Sequence, residues 1–281
     1  TAPAPSMASA APAPAQTSQS SAPPPPPVAK VLTVPDDVSQ MLSAMAPQWD
    51  AIRSLSCDVK AVPLGDGPFA KVFPEATGTF TCMSGPDVKA CRLELRGVIT
   101  TTVRNSDGAD VPTGKKIVLV AVVKNGRGYI ETTLSPESGA GQNEVAVRKV
   151  TVGKLLGFLP VGGPMLMDMI TEQADRTMTV MVPPPQGATL PNDTASLFVN
   201  VDPARCNGTP FPFVQCWTIG LDPATGLPAF AGAKAEGGAQ VGHLLFSNYA
   251  SNGPVEPAQF EYTVPVGAKM TDETGLQPEG S

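Results

Sequence analysis

A mainly β domain with a helical insertion is the fold class this sequence predicts, and three observations predict it. Short apolar runs recur with two-residue alternation. Clusters of Gly, Pro and Asn separate them, which is the turn chemistry of antiparallel strands. One segment, residues 151–174, abandons the rhythm and is apolar in almost every direction. Many short strands divided by turn signals belong to sandwiches and barrels, not to repeated βαβ units.

The chain has 281 residues, of which residues 33–272 are expected to form one domain. Residues 1–32 read as a disordered tether. The first 29 are almost entirely Ala, Pro, Ser, Thr and Gln, with five consecutive prolines at 23–27. Such a stretch has too little apolar surface to offset the entropy of ordering it, and its proline run favours a semi-stiff polyproline spacer. Residues 273–281 read as a second disordered tail.

Asp36-Asp37 begins a helix over 36–53, where acidic side chains suit the positive helix end. Val38, Met41, Leu42, Met45, Trp49 and Ile52 lie at helical spacing, interrupted by Pro47. Ser54–Val62 alternates as the first strand. A Gly/Pro-rich loop covers 63–76, and strands are expected at 77–83 and 90–104. In the second of these, Leu93, Leu95 and Val98 are set among Arg92, Glu94 and Arg96. After a loop at 105–114, Lys115–Val123 is a near-continuous apolar run, the mark of a strand covered on both faces. Asn125-Gly126 is a two-residue hairpin signal, and Gly128–Leu134 returns. Within 151–174 the sequence predicts two short helices split by a Pro/Gly elbow. Strands are expected at 177–182, 195–201, 214–221, 228–235 and 239–247. A last hairpin is expected to close the domain: after the Asn/Gly/Pro turn, Phe260, Tyr262 and Val264 alternate with Glu261 and Thr263.

Charge and cysteine usage narrow the function. The net charge of −6 argues against nucleic acid as the main partner, because phosphate binding needs a basic face. No run of about 20 apolar residues is present, so no transmembrane helix is expected. An exported protein is expected from the N-terminal tail, whose composition suits a tether placed after a removed signal sequence or a lipidated cysteine. The five cysteines agree with export. Cys82 and Cys91 flank one turn and Cys206 and Cys216 flank another, so each pair is a disulfide candidate. Cys57 with Cys82 is the competing pairing, and five free thiols remain a third reading.

No catalytic constellation is legible. His243 is the only histidine and is read as a strand or surface residue. A catalytic histidine needs a nucleophile and an orienting acid beside it. Gly162-Gly163 lacks the Lys-Ser/Thr of a phosphate loop. No Cys-x-x-Cys is present for zinc, and Asp36-Asp37, Asp107 and Asp110 are too isolated for calcium. No metal and no cofactor are expected. Arg92 and Arg96 share a strand face and are the only candidates for binding an anion.

Several landmarks together resemble the LolA/LolB-like superfamily of periplasmic lipoprotein carriers. They are the helix ending in Trp49-Asp50-Ala51-Ile52-Arg53-Ser54-Leu55, the hairpin Val122–Tyr129, the apolar helical insertion, the turn Leu221-Asp222-Pro223-Ala224-Thr225-Gly226-Leu227-Pro228, and the ending Phe246–Ala268. The resemblance implies an unclosed antiparallel β-barrel around an apolar cavity with a helical lid. It implies binding of acyl chains without catalysis. It puts Leu155, Leu156, Phe158, Leu159, Met165, Leu166, Met169 and Ile170 on the lid, with Trp49 and Leu95 lining the cavity. The flexible Met165, Met167 and Met169 suit an irregular chain, and equally suit an ordinary core helix. The implied partner is a lipid or an acylated protein, with envelope membrane proteins as further partners. The chain departs from the pattern at Met83-Ser84-Gly85-Pro86, which lacks the basic residue that lipoprotein carriers use to hold the lid. The other reading of the same half-barrel is a tethered envelope module that binds or senses a protein partner.

Overall fold

The computed structural model describes residue 47 and residues 51–65, 67, 71–84, 89–124, 127–136, 141–151, 178–181, 196–200, 211, 213–214, 216–222 and 225–274. Twelve strands form one open sheet: β1 Ser54–Pro63, β2 Glu75–Ser84, β3 Lys89–Arg104, β4 Asp110–Lys124, β5 Arg127–Pro136, β6 Glu144–Thr151, β7 Met178–Met181, β8 Ser196–Asn200, β9 Cys216–Leu221, β10 Pro228–Lys234, β11 Gln240–Ser251 and β12 Lys269–Asp272. Their order is β12-β6-β5-β4-β3-β2-β1-β11-β10-β9-β8-β7. All pairs are antiparallel except β6–β12. The two edge strands do not meet, so the sheet is unclosed. The helix expected at 36–53 and the helices expected in 151–174 lie outside the described residues, apart from Pro47, which is helical, Ala51, Ile52 and Arg53, which are not helical and lead directly into β1, and Thr151, which ends β6. The residues read as a tether, 1–32, lie outside them too.

Period-two alternation sorts the strands into two faces, because residues directly opposite in antiparallel strands share a face. One face carries Leu55, Val59, Phe80, Leu93, Leu95, Leu119, Ala121, Ile130, Ile219, Leu244 and Phe246, which belong to one buried cluster. We call it the core face. The other face carries Arg92, Glu94, Arg96, Val120, Val122, Tyr129 and Glu131, as the register Arg92↔Val122↔Tyr129 and Glu94↔Val120↔Glu131 requires.

Two glycines on the core face let β2 and β3 approach closely. A Cβ on Gly78 would stand 1.8 Å from the Glu94 carbonyl oxygen, and one on Gly97 would stand 2.0 Å from the Glu75 oxygen. Strand glycines mark such close backbone approach and permit strong coiling.

The closing hairpin is the main correction. Residues 259–264 form no ladder strand: Pro257–Phe260 is a 3-10 turn and residues 261–265 are irregular. Both edges of β11 are already taken, by β1 and β10, so no edge is open to a hairpin partner. Pro254, Pro257 and Pro265 also lack the N–H that a ladder needs. Instead, residues 252–268 form a strap that leaves β11, passes β1 to β6 and delivers β12 to the far edge. Seven strand spacings of about 4.8 Å make roughly 34 Å, which the extended strap spans.

The strap runs over the face opposite the core. Phe260 is buried beside β3 and β4. Glu261 pairs with Lys124. Tyr262 stacks on Tyr129 with ring centroids 5.0 Å apart and donates to Glu131 Oε2 at 2.9 Å. The alternation of Phe260, Tyr262 and Val264 is therefore real, but it is directed by a sheet face and not by a ladder. At the strap's start, Asn252 Oδ1 accepts from the Arg53 amide at 2.7 Å, and its Nδ2 donates to the Ala51 carbonyl at 3.1 Å. At its end, Arg148 makes a two-pronged pair with Glu273 and Lys149 pairs with Asp272.

Two further differences are smaller. Strand β6 was not expected; its Arg148 and Lys149 are ion-paired with Glu273 and Asp272. The loop expected at 105–114 shrinks to a turn, Asn105–Ala109, which Asn105 Oδ1 organises by accepting from the amides of Asp107 and Ala109.

Gly78→Ala should lower stability by more than about 2 kcal/mol, because backbone must move to admit the methyl. Thr79→Ala, at the exposed neighbouring position, should stay within about 0.5 kcal/mol. Phe260→Ala should cost about 3–5 kcal/mol. Urea unfolding midpoints measure all three, and equal effects at Gly78 and Thr79 would contradict the close-approach account.

Candidate functional site

The core face is the candidate binding surface. Leu95, the one described member of the cavity expected from the sequence, is 1% exposed. It stands in β3 opposite Gly78 and Leu119 on the core face. Trp49, Leu155, Leu156, Phe158, Leu159, Met165, Leu166, Met169 and Ile170 lie outside the described residues. Around Leu95 the surface alternates large and small side chains. Leu55, Phe80, Leu93 and Leu119 stand among Ala61, Ala76, Ala121, Ala231 and Ala233, all buried. Short side chains on a curled sheet leave depth above the backbone, which either packing groups or a guest can fill.

An aromatic cluster that the sequence does not announce stands at one end of this surface. Phe73 lies 5.0 Å from Phe211 and 6.3 Å from Phe213, and Phe211 lies 6.1 Å from Trp217, ring centre to ring centre. Gly242 makes the seat: a Cβ there would stand 2.3 Å from the Phe73 ring. Phe73 and Phe211 belong to loops separated by 138 positions, so no local pattern signals their meeting.

His243 is a strand residue but not a surface one. It is 2% exposed, in β11, with Phe230 at 5.4 Å between ring centres. Its Nδ1 finds no hydrogen-bond partner among the described residues. Burial, and then the Lys60 charge, hold its pKa below the ordinary histidine value of 6.5. Arg92 and Arg96 do not await an anion: both pair with Glu94, at 3.1 and 2.6 Å. Partial burial pushes the Glu94 carboxyl up, but the hydrogen bonds from Arg96 and Arg92 more than offset this and hold it below its usual value.

Cys57, Cys82 and Cys91 are free thiols on the core face. Burial pushes Cys57 and Cys82 up to about 12, and Cys91 higher still. Cys206 lies outside the described residues, and only the backbone of Cys216, the first residue of β9, is described. Among the described residues no three His, Cys, Asp or Glu side chains are placed to hold a metal. No helix among them is long and apolar enough to cross a membrane.

The opposite face has a recess of about 470 Å³ beneath the strap. Val122, Tyr129, Phe260 and Tyr262 line it together with Lys124, Arg127 and Glu261. The turn expected at 221–228 is present as the β9–β10 connection. The Asp222 amide donates to the Leu227 carbonyl at 2.8 Å, and Gly226 takes the left-handed conformation, φ 68°.

His243 and Glu94 give the stability a pH dependence of one sign. A base held below its ordinary pKa binds fewer protons folded than unfolded, so stability falls as pH drops through 6.5. The Glu94 contribution is complete above 4.5 and is lost as pH falls below that value towards its depressed folded pKa. Chemical denaturation of His243→Phe should show a flatter stability profile than the parent between about pH 7 and 5. Glu94→Gln should differ from the parent most at neutral pH and least near about pH 3. Parallel profiles for either pair would contradict the assignment.

Comparison with protein-family profiles finds no match, and comparison with curated proteins finds none. Solved structures are similar to it at low identity. A conserved protein from Thermus thermophilus is 8% identical with a TM-score of 0.38, covering 84% of this chain and 98% of its own. The Pseudomonas aeruginosa MucA/MucB complex gives 13% identity and a TM-score of 0.31 over 81% of this chain, which spans 61% of the matched one. An outer-membrane lipoprotein-sorting protein domain from Vibrio parahaemolyticus gives 7% identity and a TM-score of 0.26, covering 79% of this chain and 94% of that domain. These likenesses cover about four fifths of this chain.

Proposed function

We propose that this chain is a non-enzymatic binding protein of the cell envelope that shields an acyl chain, free or attached to a protein, against the core face of its sheet. The observation that carries the reading is the composition of that face. One buried apolar cluster runs along it from β5 across to β9, with several alanines among its members. A guest held there gains about 0.8 kcal/mol for each buried methylene, so a fatty-acid-length chain needs no charged contact. In this reading the lid that the resemblance implies for the segment after β6 covers the guest.

The second reading, a module that docks a protein partner, draws on the recess beneath the strap. Tyr129 and Tyr262 with Lys124 and Arg127 are residue types that protein interfaces favour or tolerate at a rim.

Native mass spectrometry of the purified full chain should find a co-purifying lipid, and the protein should release a fluorescent fatty-acid probe when unlabelled fatty acid is added. Arg127→Glu, on the far face, should leave probe affinity within about twofold. Absence of both lipid and probe binding would remove the carrier reading. A loss of probe binding in Arg127→Glu would move the site to the recess.

A further inference from the structure

We propose that Cys82 and Cys91, unbridged in this structure, form a disulfide under oxidising conditions that staples β2 to β3 on the core face, with Cys57 left beside it as a thiol. Register decides the pairing. Cys82 stands directly opposite Cys91, whereas Cys57 stands opposite Phe80, two residues away from Cys82. Directly opposed residues have Cβ atoms about 4.5–5.5 Å apart, and diagonal neighbours about 7–8 Å. A disulfide needs Cβ atoms about 3.5–4.5 Å apart. By register the Cys82–Cys91 pair needs the smaller closure, in which the Cys82 thiol leaves the Leu55 backbone and the Cys91 thiol leaves the Val123 backbone; the Cys57–Cys82 pair needs the strands themselves to move.

Cys57 has another partner. Its thiol is within hydrogen-bonding contact of the Tyr249 hydroxyl, and that hydroxyl donates to the Pro228 carbonyl. The contact ties β1 to β11 and to the start of β10. Cys82 is also the most accessible of the three, while Cys57 and Cys91 are 3% and 4% exposed.

The chemistry is thiol–disulfide exchange with a small-molecule or protein disulfide as oxidant. The Cys82 thiolate attacks the oxidant's disulfide and releases one thiolate. The Cys91 thiolate then attacks the Cys82 sulfur of the mixed disulfide and expels the second. Two thiols lose two protons and two electrons; the oxidant gains them and leaves as two thiols. Because burial suppresses the thiolate form in the folded chain, the exchange belongs to the stage before β1 to β4 close over the sulfurs.

The staple has a structural role that an isolated bridge would lack. It fixes the register of the strand pair that approaches closely at Gly78 and Gly97, and a slip of one residue would turn the apolar side chains of the slipped strand to the other face.

The test refolds the full chain from urea with oxidised and reduced glutathione, blocks free thiols, and maps peptides without reduction by mass spectrometry. A peptide linking Cys82 to Cys91 is expected, with Cys57 alkylated only after unfolding. Reduction should lower Tm by roughly 5–10 °C. Cys57→Ala should keep the link, and Cys82→Ala should leave Cys91 free. A Cys57–Cys82 link, a link from Cys82 or Cys91 to Cys206 or Cys216, or free Cys82 and Cys91 after oxidative refolding would each overturn the proposal. Should Cys82→Ala fail to fold, the peptide map of the unaltered chain still decides.

Discussion

Strands β2 and β3 pass so close at Gly78 and Gly97 that no side chain fits between their backbones, and the rest of the sheet is arranged around that contact. A β-sheet gains curvature only where its strands can coil, and a Cβ at either glycine would oppose it. Gly78 and Gly97 flank Leu95 on the core face, so coiling there gathers Val59, Phe80, Leu93, Leu95 and Leu119 into one apolar surface. On the reverse side the same strands present Arg92, Glu94 and Arg96. This charged row is an exposed network in which each pair adds little by itself. The difference between the faces thus arises from a two-residue period read on a curved support.

The strap makes the reverse face something other than a solvent surface. Phe260 and Tyr262 line one recess with Val122 and Tyr129, and Val120 and Val122 are buried on that face as Leu119, Ala121 and Val123 are in the core, so β4 is apolar on both sides. That is the physical reason for the unbroken run Ile117–Val123. The strap is tied at three points: Asn252 at the start of β1, Phe260 with Tyr262 at the middle, and Glu273 with Arg148 at the edge. Apolar burial at Phe260 dominates, because a buried aromatic contributes more than a half-exposed ion pair.

Much of the sheet was legible in the sequence because the information is local. Leu93 and Leu95 alternate with Arg92, Glu94 and Arg96, and Asn125-Gly126 is bracketed by the opposed Lys124 and Arg127. The strap was misread because alternation reports a face, not a ladder, and the edge of β11 that its partner strand needed is occupied by β1. Strand β6 escaped because the acids that pair with Arg148 and Lys149 come from residues 272 and 273. The aromatic cluster, the seat at Gly242 and the burial of His243 depend on strands and loops far apart in the chain. Of the expected cavity residues, Leu95 alone is described, and its place on the core face follows from the same local alternation that identified its strand.

The pairing of β1 with β11 has a consequence for how the molecule is made. Leu55 meets Ser251 and Pro63 meets Gly242, so β1, the first of the described strands, waits for one of the last. Until then one edge of β1 stands open, with Leu55, Val59 and Ala61 uncovered beside it. Contacts of such sequence separation form slowly, and an open apolar edge invites pairing with another chain. Synthesis therefore creates a vulnerable interval that ends only when residue 251 is free to dock.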